Sequence, residues 1–158
     1  LNVGDDGVAE LLRHESGVVS LSDAGAHLVF MCDAGFGLHF LSKWVRERGD
    51  FSLAQAIRRL TSHPADLYGL VDRGRIKPGA HADMILFDPE KVGVTSAERV
   101  YDLPGGGPRT IRRPVGLHNV FVNGTEVFDG KNYVEHINGP GHILDRFQLS
   151  KNNHSAST

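Results

Sequence analysis

Asp23 stands at the end of a short apolar, β-branched run, Val18-Val19-Ser20-Leu21-Ser22-Asp23-Ala24-Gly25-Ala26-His27. Such a run reads as a buried strand. A carboxylate delivered into the small-residue loop at its C-terminal end lies where barrel enzymes place their reacting groups. An acid in that place can take a proton during nucleophilic attack and return it to a leaving group, acting as general base and then general acid. The competing use is structural: an aspartate before Ala-Gly commonly closes an Asx-turn, and the local sequence by itself favours that use. His27, four residues on, could orient substrate or water, and His39 could line the same mouth. Each is also a residue type found satisfied at a rim, and the helical phase of His39 could carry it into packing. Asp33, in Cys32-Asp33-Ala34-Gly35, is read as the N-cap of the helix that follows.

The remaining histidines form no metal motif. There is no His-x-His and no His-Glu-x-x-His, and His136 and His142 are widely spaced in a glycine-proline loop. Cys32 is the single cysteine, which excludes an internal disulfide and a multi-cysteine zinc site and fits a reducing, cytoplasmic compartment. The glycine run Leu103-Pro104-Gly105-Gly106-Gly107-Pro108-Arg109 lacks the Gly-Lys-Ser/Thr ending of a phosphate loop and has no helix after it, so it reads as an irregular connection. Arg109, Arg112 and Arg113 are then a solvated loop face or a carboxylate-binding patch.

The helices and strands around these residues are legible in outline. Leu38, Leu41 and Val45, with Phe40 and Trp44 beside them, fall at helical spacing; Lys43, Arg46 and Arg48 crowd the last turn, and Gly49 supplies the stop. Ser52 and Gln55 stand at capping-box spacing before Leu53, Ala56, Ile57 and Leu60, read as one apolar helix face. Pro64 to Leu67 can add a further turn, closed by Gly69. From Arg75 onward the period becomes strand-like: Lys77-Pro78-Gly79 suits a type II turn, 82–87 a short strand closed by Asp88-Pro89. Val120-Phe121-Val122, Asn123-Gly124, Thr125-Glu126-Val127-Phe128 reads as a hairpin about a type I′ turn, with Val120, Val122, Thr125 and Val127 in cross-strand pairing. Glu90 to Gly116 reads as a long stretch of low regularity.

Hydrophobic residues make up 40% of the chain and charged residues 23%, close to globular averages, so a buried core is within reach. A formal net charge of −2 with mixed signs provides no basic field for nucleic acid. No apolar run approaches the ~18 residues of a membrane-spanning helix.

Taken together, the Ser22-Asp23 loop and the segment Gly74-Arg75-Ile76-Lys77-Pro78-Gly79-Ala80-His81-Ala82-Asp83-Met84-Ile85-Leu86-Phe87-Asp88-Pro89 resemble the C-terminal end of a metal-dependent amidohydrolase. Within that superfamily the chain is most similar to D-aminoacylases, the N-acyl-D-amino-acid deacylases. The resemblance runs from about Gly17 to about Phe147 and implies an α/β fold: the last βα portion of a (β/α)8 barrel followed by part of a small β-sandwich domain. Residues 1–73 would end the barrel, 74–150 would form part of the composite β domain, and 151–158 a solvated tail. A barrel needs roughly 250 residues, and the chain opens on Leu1, so a C-terminal fragment is expected, with sheet edges unpaired and apolar surface uncovered. The resemblance makes Asp23 the proton-transferring aspartate and a possible metal ligand. His27 and His39 stay the weaker substrate-facing candidates that their positions suggest, and the resemblance calls for one or two Zn2+ ions whose other ligands follow earlier strands. The reaction implied is hydrolysis of an N-acyl amino acid. A cyclic-amide hydrolase of the dihydroorotase or hydantoinase kind, and a non-catalytic α+β assembly module, are the alternatives. Acyl group, stereochemistry, metal count and oligomeric state depend on loops elsewhere.

Overall fold

The computed structural model describes residues 4–20, 22, 29, 32–135, 138–145 and 147–148. Helix α1 (Asp5–Arg13) carries Asp5 and Asp6 in its first turn and Arg13 in its last, each charge placed to oppose the helix dipole. Helix α2 (Phe36–His39) runs directly into a π-helical segment, Phe40–Glu47, that buries Phe40, Leu41, Ser42 and Trp44. The N-cap of α2 is Gly35, and Asp33 contributes its backbone carbonyl, which accepts from Phe36 N at 3.0 Å. Asp33 is therefore not the capping side chain; it stands two residues too early. Helix α3 (Leu53–Leu60) begins at the expected capping box, Ser52 accepting from Gln55 N while the Gln55 side chain accepts from Ser52 N at 2.8 Å. Helix α4 (Ser62–Tyr68) follows after a break at Thr61 and ends at Gly69, whose φ of 71° is left-handed. A Cβ there would come within 2.5 Å of the Gln148 carbonyl oxygen, so glycine is required both by conformation and by space.

Seven short strands follow, β1 (Met84–Phe87), β2 (Gly93–Val94), β3 (Glu98–Val100), β4 (Arg109–Ile111), β5 (Pro114–Val115), β6 (Leu117–Val122) and β7 (Thr125–Phe128). They pair antiparallel as a three-stranded sheet in the order β1-β6-β7 and as two ribbons, β2 with β5 and β3 with β4. The stretch 90–116 is thus more ordered than its sequence suggests, because ladders of two or three residues are fixed by pairing rather than by any period. The β6–β7 turn is type I′ as read: Asn123 and Gly124 both have positive φ, 48° and 80°. A bulge shifts the register, so that Val122 faces Thr125 but Val120 faces Phe128, leaving Val127 out of the pairing anticipated for it. Strand β1 lies at the sheet edge with Met84, Ile85 and Leu86 exposed, the uncovered apolar surface that was anticipated.

One expectation fails and another holds in part, Ala56, Ile57 and Leu60 packing inward as read and Leu53 not. Residues 18–20 form no strand, since no ladder partner lies beside them among the described residues, and a lone extended segment has no hydrogen bonds to hold it. On α3 the buried stripe is Ala56, Arg59 and, on α4, His63, while Leu53 is exposed.

One apolar cluster joins helices and strands: Ala9, Phe40, Leu41, Trp44, Phe51, Ala56 and Val92, with Leu38, Ile57, Leu60 and Phe87 packed against it. Arg46 Nη1 donates to the Val92 carbonyl at 2.6 Å, tying the π-helical segment to the start of the β part. Asp50 accepts from Arg13 and Arg48, and the Arg48 guanidinium holds its carboxyl below the usual carboxylate range.

Asp83 stabilises the hairpin turn. Its carboxylate accepts from Asn123 N at 2.8 Å and pairs with Arg73, which also donates to the Asn123 side-chain oxygen. Burial opposes its ionisation, but the Asn123 amide and Arg73 outweigh it, and the pKa is lowered. A depressed folded-state pKa contributes stability in full above the unfolded value near 3.9 and loses it as the pH falls through the lower folded value. Between pH 6 and pH 3 the urea midpoint of Asp83→Asn should therefore fall less steeply than that of the wild type; parallel curves would remove Asp83 from the acid response.

Candidate functional site

Asp23 and His27 lie outside the described residues, but the chain on both sides of them is described and is anchored by side chains. Upstream, α1 ends at Arg13, and the residues after it are gripped by α3 and α4. Arg59, 4% exposed, donates to the carbonyls of Arg13, His14 (2.9 Å) and Gly17 (3.2 Å), and His63 Nε2 lies 2.9 Å from the same Gly17 oxygen. Downstream, the β3–β4 ribbon reaches back. Arg99 and the Thr110 hydroxyl both donate to the Val29 carbonyl, at 3.1 and 2.7 Å, and Arg112 Nε donates to that of Cys32 at 3.0 Å.

His39 is exposed rather than packed. With Asp33, Gly35, Phe36, Val94 and Arg112 it lines an open cavity of about 340 Å³ between α2 and the β2–β5 ribbon. The other two arginines are spent internally: Arg109 makes a two-pronged bond to Asp102 at 2.6 and 2.7 Å, and Arg113 pairs with Glu98 at 2.8 Å. That disfavours a three-arginine carboxylate patch and leaves the reading of a solvated face. The glycine run forms the β3–β4 connection, with a 3₁₀ turn at Pro104–Gly106. His142 stands edge-on to His81, ring centroids 6.4 Å apart, and His136 lies outside the described residues.

Among the described residues no group of three or more His, Cys, Asp or Glu side chains is arranged to hold a metal ion. By themselves they do not fit a metal centre, since a zinc site takes about three protein ligands. Sequence reasoning missed Arg59 and His63. The available signal was their i, i+4 spacing on the stripe begun by Ala56, hidden because a charged residue there reads as solvated.

Residues 6–128 match the model of the Amidohydrolase family. The chain belongs to that family. This amidohydrolase segment is 40% identical over 91 residues to N-acyl-D-aspartate deacylase of Alcaligenes xylosoxydans xylosoxydans, and 34% identical over 106 residues to N-acyl-D-glutamate deacylase of the same organism. Those matches take in 58% and 67% of this chain but only 16% and 19% of the relatives, so the amidohydrolase segment spans less than a fifth of either protein. Among solved structures it is similar to N-acyl-D-glutamate deacylase from Bordetella bronchiseptica complexed with zinc and a phosphonate mimic of the tetrahedral intermediate. There the TM-score is 0.54 at 31% identity, over 80% of this chain and 26% of the other. Its mixed helices and strands agree with the α/β class read from the sequence. No helix among the described residues is long and apolar enough to cross a membrane.

Proposed function

We propose that the chain supplies the Asp23-bearing part of a zinc-dependent amidohydrolase that cleaves a linear, non-peptide amide, an N-acyl-D-amino acid, to a carboxylate and a free amino acid. The observation that carries this reading is the similarity to deacylases of two acidic N-acyl-D-amino acids. In it, residues 1–73 close a barrel, 74–150 belong to a composite β domain, and the whole enzyme is cytoplasmic. An amide nitrogen leaves poorly as an anion and must be protonated as the carbon–nitrogen bond breaks. Asp23 takes the proton of the attacking water and delivers it to that nitrogen. His27 and the exposed His39 are the substrate-facing candidates of this segment. Zinc belongs to the proposal for the whole enzyme, held by residues other than those described.

The test is turnover by the full-length protein on N-acetyl-D-aspartate and N-acetyl-D-glutamate, with their L-enantiomers and dihydroorotate as comparisons. Release of D-amino acid is the expected result. Opening of the cyclic amide alone would overturn the reading in favour of the cyclic-amide hydrolases, and no turnover of any substrate would favour a non-catalytic module. The 158-residue chain is expected to bind zinc only weakly and to release no amino acid, because the described residues lack a ligand set. Metal titration after chelation checks this, with tight one-to-one zinc as the contrary result.

A further inference from the structure

Arg112 differs from the arginines on either side of it. Arg109 and Arg113 each meet a carboxylate, whereas Arg112 makes no ion pair among the described residues. Its guanidinium is held instead by two main-chain carbonyls on separate segments, Nε donating to Cys32 at 3.0 Å and Nη1 to Thr95 at 3.1 Å. Carbonyls fix a guanidinium without neutralising it, and Nη2 donates to nothing among the described residues. The charge is aimed and unspent. The cavity of about 340 Å³ that Arg112 lines carries the opposite sign as well, on Asp33, the residue after the carbonyl that anchors Arg112. The two do not pair, and among the described residues neither the Asp33 carboxylate nor the His39 ring has a partner. Opposite charges that share a cavity without meeting leave room for a ligand that carries both signs. His39 adds a ring N–H, a donor in either tautomer, and Phe36 and Val94 add apolar wall. A Cβ on Gly35 would lie 2.4 Å from Val94 Cγ1, so glycine is what lets the start of α2 come this close to β2.

We propose that this cavity binds a free acidic amino acid, with the α-carboxylate on Arg112, the ammonium on Asp33, the side-chain carboxylate on His39 and the methylenes against Phe36 and Val94. The lining is the complement of such a ligand: two donors and one carboxylate face two carboxylates and one ammonium. Binding stands on the cavity alone; that the amino acid is the enzyme's own product rests on the deacylase reading above. An N-acylated amino acid has a neutral amide where the free one has an ammonium, so Asp33 makes the site select product over substrate. Both charged side chains are exposed, and salt will therefore weaken the binding.

The experiment is calorimetric binding to the full-length protein at low salt, with D-glutamate and with glutarate, which lacks the ammonium, as probes. The wild type should prefer D-glutamate to glutarate by about tenfold or more, the worth of one hydrogen bond between charged groups. Asp33→Asn should abolish or invert that preference. Arg112→Gln should weaken both probes at least about tenfold. Arg113→Gln removes a neighbouring charge that is already paired with Glu98, and should leave both affinities within about twofold. The proposal is overturned if Asp33→Asn keeps the full preference, if Arg113→Gln loses as much as Arg112→Gln, or if the wild type does not bind D-glutamate. Should Arg112→Gln fail to fold by circular dichroism, Asp33→Asn decides, being an isosteric change of an exposed side chain. Turnover of N-acetyl-D-glutamate by the wild type, measured alongside, separates the two readings. Turnover without the Asp33 and Arg112 dependence overturns the binding site alone; the dependence without turnover removes the deacylase reading and leaves the amino-acid site standing.

Discussion

Asp23→Asn in the full-length protein is expected to lower kcat by at least about a hundredfold while leaving the melting temperature and KM close to wild type. The amide keeps the shape of the carboxylate and still accepts a hydrogen bond through its oxygen, but it cannot take a proton from water at neutral pH. General acid–base catalysis by a positioned group contributes about 10² to 10⁴ in rate. This residue is asked to serve in both directions, so its removal should cost at least the lower figure. Steady-state turnover of N-acetyl-D-glutamate, with circular dichroism as the folding control, makes the comparison. Near-normal kcat would remove Asp23 from the chemistry and return it to the turn role that its neighbours Ala24 and Gly25 suggest.

The largest expected effect on stability is at Phe40. Its side chain is 1% exposed and packs against the Phe51 ring, centroids 5.1 Å apart and planes tilted by 54°. Truncation of a buried phenylalanine to alanine costs about 3–5 kcal/mol from lost burial and the cavity left behind. That is a large share of the roughly 5–15 kcal/mol available to a domain. Phe40→Ala should accordingly bring the urea midpoint of the 158-residue chain down by about a fifth or more, the ratio of those two figures, whereas Leu53→Ala, at a position 39% exposed, should shift it little. Equal shifts in the two variants would mean that the Phe40 cluster does not hold the molecule together.

What the sequence made legible, and what it hid, follows from the range over which each feature is decided. Ser52 with Gln55, Gly69, and Asn123-Gly124 form the structures read for them because each is settled within four residues, by a side-chain cap or by a backbone angle few residues tolerate. The β2–β5 and β3–β4 ribbons join residues about twenty and ten positions apart through ladders too short to show a period. Residues 18–20 carry the composition of a strand, but composition cannot supply a neighbour. Arg59 is the residue the sequence hid best: a charged side chain is ordinarily solvated, and the free carbonyls that make its burial tolerable belong to a helix 46 residues earlier. The Asp23 loop was recognisable only beside the downstream segment, since neither motif specifies chemistry alone.

Trp44 is the only tryptophan in the chain. It is 6% exposed, with Lys43 Nζ and Arg48 Cζ over its ring at 5.3 and 5.2 Å, and it shares an apolar cluster with Ala9 from the first helix and Val92 from the stretch just before β2. Its fluorescence is therefore an intrinsic gauge of assembly. The indole loses its dry surroundings when either of the two distant stretches that share its cluster, around Ala9 or around Val92, comes away, so a single emission band, with no added label, follows the joining of the helical and strand portions during refolding.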